Sequence, residues 1–93
     1  MKDSEIIEKS IKALKELGLY NRIYENVSVI RTYDKLLLEA YPEIDDYYTV
    51  SFPANLPDGR GGAGLSVKVD KKTNKLVEVI TRNSFYKIPE EFQ

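Results

Sequence analysis

The sequence predicts an α+β domain: N-terminal helices packed on a three- to four-stranded antiparallel sheet. Three observations carry this reading. Residues 4–18, SEIIEKSIKALKELG, place apolar side chains at helical spacing ahead of every strand signal. YYTVSF and GLSVKVD then alternate, so that Tyr48, Val50 and Phe52 share one face and Leu65, Val67 and Val69 another. Finally, DKKTNK separates GLSVKVD from KLVEVI by the length and chemistry of a hairpin turn. Helices first and strands afterwards is the order of an α+β fold.

The first helix is predicted from about Glu5, with Asp3 or Ser4 as its cap and Gly18 as its stop. Its apolar stripe is Ile6, Ile7, Ile11, Leu14 and Leu17, and Lys9, Lys12, Lys15 and Glu16 occupy the wet side. Residues 19–26 read as a connection or an extra helical turn. A second helix is predicted from about Val27 to Ala40, ending before Pro42, because KLLLEA has strong helix propensity. Tyr20, Ile23, Tyr24, Val27, Ile30, Leu37, Leu38 and Tyr41 would form its broad face with the preceding turn. The β-branched Val27, Val29 and Ile30 also suit the start of a strand.

After Pro42 the chain turns through EIDD into the sheet. Thr49, Ser51, Ser66 and Lys68 alternate with the apolar positions, as expected where one face meets water. A twelve-residue loop, PANLPDGRGGAG, is predicted between the first two strands. In the turn at 70–75, Asp70 can accept from the turn amides and Asn74 tolerates a left-handed backbone. The tail suits a short edge strand around Phe85–Ile88, ended by Pro89.

Composition narrows the chemistry. Ninety-three residues make one domain, and 42% hydrophobic with 31% charged is a globular composition. With no cysteine there is no disulfide, thiolate or zinc–sulfur site; with no histidine the commonest general base and metal ligand are missing. The expectation is a protein that is not an enzyme and has no cofactor. Net charge is −1, without the basic excess typical of nucleic-acid binding. No run approaches the ~20 apolar residues of a membrane span, and the charged MKDSEIIEKS does not read as a signal peptide. With Met1 as the natural start, a cytoplasmic protein is expected.

Two features invite a functional reading. Gly59-Arg60-Gly61-Gly62-Ala63-Gly64 matches G-x-G-x-x-G, but a dinucleotide fingerprint needs a helix after it and here a strand follows. A kinase glycine loop does lie between strands, but it wants valine where this chain has Ser66. The loop then stands as a flexible or partner-contacting segment with Arg60 at its tip and Asn55 and Asp58 beside it. The second feature is the acidic group Glu39, Glu43, Asp45 and Asp46, which lacks the alternation and glycine of a calcium loop. It reads as a solvated surface or a protein-contact patch.

From about Val27 onward the pattern EAYPEI, YYTVSF, Gly61-Gly62 and VKVDKKTNKLVEV resembles the compact nuclear-transport-factor-2-like bacterial immunity proteins. It is also similar to PepSY-type domains, whose strands carry D-x-x-T-G-K turns. Asn74 stands where that turn usually has glycine, and Tyr47-Tyr48 where an immunity protein often has tryptophan. The first resemblance implies a cystatin or nuclear-transport-factor-2-like fold and a protein that neutralises a cognate toxin, such as a nuclease, by masking its active site. Partner contacts are then expected at Glu43, Asp45, Asp46, Asp58 and Arg60. The second implies a binding or protease-inhibitory domain.

Overall fold

The computed structural model describes all residues except 1, 21–23, 25, 56–60 and 82–83, with backbone alone at 54–55 and 61–63. Helix α1 spans Asp3–Glu16. Five strands follow in meander order and pair antiparallel: β1 Ser28–Ile30, β2 Tyr47–Asn55, β3 Gly61–Asp70, β4 Leu76–Ile80 and β5 Phe85–Lys87. Between β1 and β2 lie a short helix, α2 (Lys35–Ala40), and a 3-10 turn, Pro42–Asp46. A second 3-10 turn, Glu90–Phe92, closes the chain.

The amphipathic pattern of α1 places Ile6, Ser10, Ala13 and Leu14 against the sheet, all buried. Ser10 satisfies its hydroxyl on the Ile6 carbonyl at 2.7 Å. Lys2, not Asp3 or Ser4, occupies the cap position, and no side chain caps the first amides. Asp3 is drawn instead into a 2.6 Å ion pair with Arg31. At the other end Gly18 adopts φ +72°. The Leu19 N–H reaches the Leu14 carbonyl (2.8 Å) and the Gly18 N–H that of Lys15 (3.1 Å), the paired bonds of a Schellman stop.

The predicted helix over 27–40 is replaced by a strand and a six-residue helix. Val29 pairs with Val50, which uses the β-branched residues as a strand and adds a fifth strand to the predicted three or four. Asp34 then accepts from the Leu36 amide and starts α2 only there. The long loop is corrected as well. The ladder continues past Phe52↔Leu65 to Ala54↔Gly62 and Asn55↔Gly61, which leaves only 56–60 between the strands. Proline is tolerated because Pro53 falls where the register shifts, beyond the last β1 pair at Ser51.

Tyr48, Val50, Phe52, Leu65, Val67 and Val69 are all buried on the α1 face, as their alternation predicts. One further irregularity completes the core. Val69 faces Leu76 and Val67 faces Val79, so β4 spends three steps against two of β3. The extra residue lets both Leu76 and Val79 point inward, and the Val77 carbonyl accepts from Ile88 at 3.1 Å. Ile88 is buried beside them.

The β3–β4 turn is held more tightly than its composition suggests. Asp70 accepts from the amides of Lys72 (2.8 Å) and Thr73 (3.1 Å). Asn74 adopts φ +58°, its Oδ1 accepts from the Tyr48 hydroxyl at 2.8 Å, and its carbonyl accepts from Lys9 Nζ at 3.0 Å. Glycine would suit the backbone but could not serve Tyr48. We expect Asn74→Gly to lower stability by about 1–3 kcal/mol through the orphaned hydroxyl. Asn74→Ala adds a left-handed penalty of about 1 kcal/mol. Urea denaturation of both variants, with and without Tyr48→Phe, separates the two effects. If Tyr48→Phe leaves the Asn74→Gly loss intact, the hydroxyl is not its cause.

Candidate functional site

One face of the sheet is covered by α1; what remains uncovered includes an unusual segment between β1 and β2. Pro42 cannot continue a helix, and the residue before a proline is pushed to extended backbone. Tyr41 accordingly sits at φ −135°, and the chain restarts as the 3-10 turn Pro42–Asp46. Helix α2 is thereby confined between Asp34 and Pro42. It is too short to reach the core, and none of its residues is buried. Leu36 is 73% exposed, Leu37 42% and Tyr41 56%.

Glu43, Asp45 and Asp46 all lie exposed on the 3-10 turn. Two bonds moor them to the β3–β4 turn: the Lys71 amide donates to the Asp46 carbonyl (3.0 Å), and Lys71 Nζ pairs with Asp45 at 3.1 Å. Asp45, Asp46, Tyr47, Asp70, Lys71 and Lys72 line a shallow cleft of about 300 Å³. Lysines stand among its carboxylates. Among the described residues, no group of three or more acidic side chains is placed to hold a metal ion. Asp58 and Arg60, the other two predicted contact residues, lie outside the described residues.

The acidic residues are thus brought beside α2, with Asp34 and Glu39 on the helix itself or at its cap. Sequence reading placed Leu37 and Tyr41 on a buried helical face, and the structure leaves them in water. The signal that could have found them is the spacing of Asp34 and Pro42, which allows less than two turns of helix. Tyr33 secures the approach to α2, its hydroxyl donating to the Tyr47 carbonyl (3.2 Å) and meeting the Thr49 hydroxyl at 3.0 Å. Behind it, the Arg31 guanidinium lies 4.6 Å from the centre of the Tyr48 ring. Burial raises the Tyr48 hydroxyl pKa, and nearby Arg31 opposes that rise.

Amide bonds from Thr73 and Lys72 lower the Asp70 pKa. A carboxylate depressed in the folded state stabilises the fold above its unfolded pKa of about 3.9, and that contribution is lost as pH falls. We expect the urea midpoint to fall between about pH 6 and about pH 3, and to fall less in Asp70→Asn. Equal acid sensitivity in the two proteins would remove Asp70 as a contributor.

No helix among the described residues is long and apolar enough to cross a membrane. No family model, curated protein or solved structure matches the chain.

Proposed function

We propose that the chain is a protein-binding domain that does no chemistry itself, and that it acts as an immunity protein, neutralising a cognate bacterial toxin by covering its active site. The observation that carries this reading is α2, a six-residue helix whose consecutive leucines are all unburied. Isolated helices this short are marginal in water, and their apolar side chains gain stability only by packing against something. Among the described residues none of the three leucines joins the core, and only Leu38 is half-buried, so a partner surface is the natural complement.

The charge around the patch indicates the kind of surface. Asp34 and Glu39 lie at the cap of α2 or on it and Glu43, Asp45 and Asp46 on the adjoining 3-10 turn, against Lys35 on the helix and Lys71 and Lys72 at the neighbouring turn. A basic partner is favoured, which suits a nuclease whose own active site attracts phosphates. One helix over an antiparallel sheet is compatible with the nuclear-transport-factor-2-like architecture that the sequence motifs resemble. Co-expression with a toxin encoded immediately upstream tests the reading. Restored growth together with a stable purified complex is the expected result; failure of both rescue and complex formation would sink it.

A further inference from the structure

Helix α2 is short, yet the chain is tethered on both sides of it. Arg31 and Tyr33 precede the helix and reach opposite faces of β2. The Arg31 guanidinium lies over the buried Tyr48 ring and pairs with Asp3, the first residue of α1, on the covered face. Thr49 alternates with Tyr48 and Val50, so the Tyr33 hydroxyl that meets it at 3.0 Å lies on the face away from α1. Both partners of the Arg31–Asp3 pair are exposed, and exposed pairs hold weakly. Tyr33 is half-buried and its hydroxyl is used twice. With its proton on the Tyr47 carbonyl, its oxygen accepts from Thr49. Beyond α2, the Lys71 amide moors the 3-10 turn at the Asp46 carbonyl.

Between these moorings the helix has a defined roll. At about 100° per residue, Leu36, Leu37 and Ala40 fall within an arc of about 100°, and Leu38 lies about 150° from its centre. Leu38 is half-buried, whereas Leu36, Leu37 and Ala40 are exposed. The arc therefore faces outward and Leu38 faces the domain.

We propose that α2 is presented to its partner ready-formed, and that Tyr33 is the positioning residue that holds it so, acting on affinity through the helix. This rests on the protein-binding reading above and concerns the same site. A six-residue helix left to itself is mostly unfolded and would have to be ordered at the moment of binding. Apparent affinity then falls with the fraction of free protein in which the helix exists. The Asp34 cap cannot maintain that fraction alone, because its bond from the Leu36 amide is long, at 3.4 Å. Tyr33 stands two residues before the first helical residue, at most about 7 Å of chain, so its tether leaves the first turn little slack.

Tyr33→Phe removes both bonds and keeps the ring. In the intact variant, the helical displacement of the NMR Cα shifts across residues 35–40 should fall by about half or more. With the purified toxin of the co-expression test, Kd should rise about two- to tenfold. Val79→Ala is the control for general destabilisation: it opens the core on β4, two strands from β2, and should leave both readouts unchanged. Unaltered shifts in Tyr33→Phe overturn the proposal, as does an unaltered Kd despite weakened shifts, or an equal rise in Kd for Val79→Ala. Those outcomes leave the protein-binding reading standing. A parent chain that does not bind the toxin removes that reading, and this inference with it.

Discussion

Phe52→Ala is expected to bring the domain to the edge of unfolding. The ring is fully buried and makes two aromatic contacts within a cluster of three rings, rather than lying in a uniform aliphatic layer. Tyr24 meets it edge-on with centroids 5.6 Å apart, Tyr20 does so at 6.5 Å, and the two tyrosines are 5.3 Å from each other. Tyr20 is in turn tied to the end of α1 through its amide bond to the Leu14 carbonyl. The ring therefore holds the segment after α1 onto β2 as well as filling volume.

Truncating a buried phenylalanine costs about 3–5 kcal/mol, because the cavity collapses only in part. A chain of this length has roughly 5–14 kcal/mol of total stability. Roughly a fifth of the stability or more should go, read as a fall in the urea midpoint with an unchanged slope. Phe85→Ala is the matched control. Phe85 is 71% exposed on β5, and its loss should stay within about 0.5 kcal/mol. Equal losses for the two phenylalanines would contradict the placement of the core.

The same residues show what was legible in the sequence. Strict alternation around Tyr48, Val50 and Phe52, and around Leu65, Val67 and Val69, admits only one inward face, and all six are buried. Gly18, Asp70 and Asn74 were equally readable, since few residues meet those backbone and turn requirements. Residues 27–40 were not. Their β-branched start and leucine-rich end lie together without an intervening glycine or proline, and the stronger local propensity is helical. Pairing with β2, a non-local contact, decides between them.

The glycine-rich connection misled for a related reason. Glycine and proline are loop signals on average, but Gly61 and Gly62 pair readily once Asn55 and Ala54 lie opposite. The strand reading thus reaches into the G-x-G-x-x-G match itself, where a phosphate cradle would need the amino terminus of a helix. Of the candidate site, the exposed acids were legible and the exposed leucines were not. Apolar spacing reports that a helix has a face, and says nothing about whether the helix is long enough to deliver that face to the core.

Substitution of those leucines has the second large expected effect. In Leu36→Asp with Leu37→Asp, both changes fall in the first turn of α2, where carboxylates favour the helix. Neither side chain is buried, so stability should move by no more than about 0.5 kcal/mol. Binding should respond very differently. Apolar anchors at the centre of an interface are worth about 2 kcal/mol or more, which is roughly a 30-fold rise in Kd. The new carboxylates must also be desolvated against the partner, which deepens the loss. Glu39→Lys with Glu43→Lys provides the complementary measurement. These rim charges should mainly slow association and flatten its salt dependence, leaving dissociation little changed. A growth-rescue assay alone cannot separate these cases, whereas association and dissociation rates measured with the purified toxin can. If the leucine variant binds like the parent while remaining folded, α2 is not the docking element, and its exposed apolar side chains need another explanation.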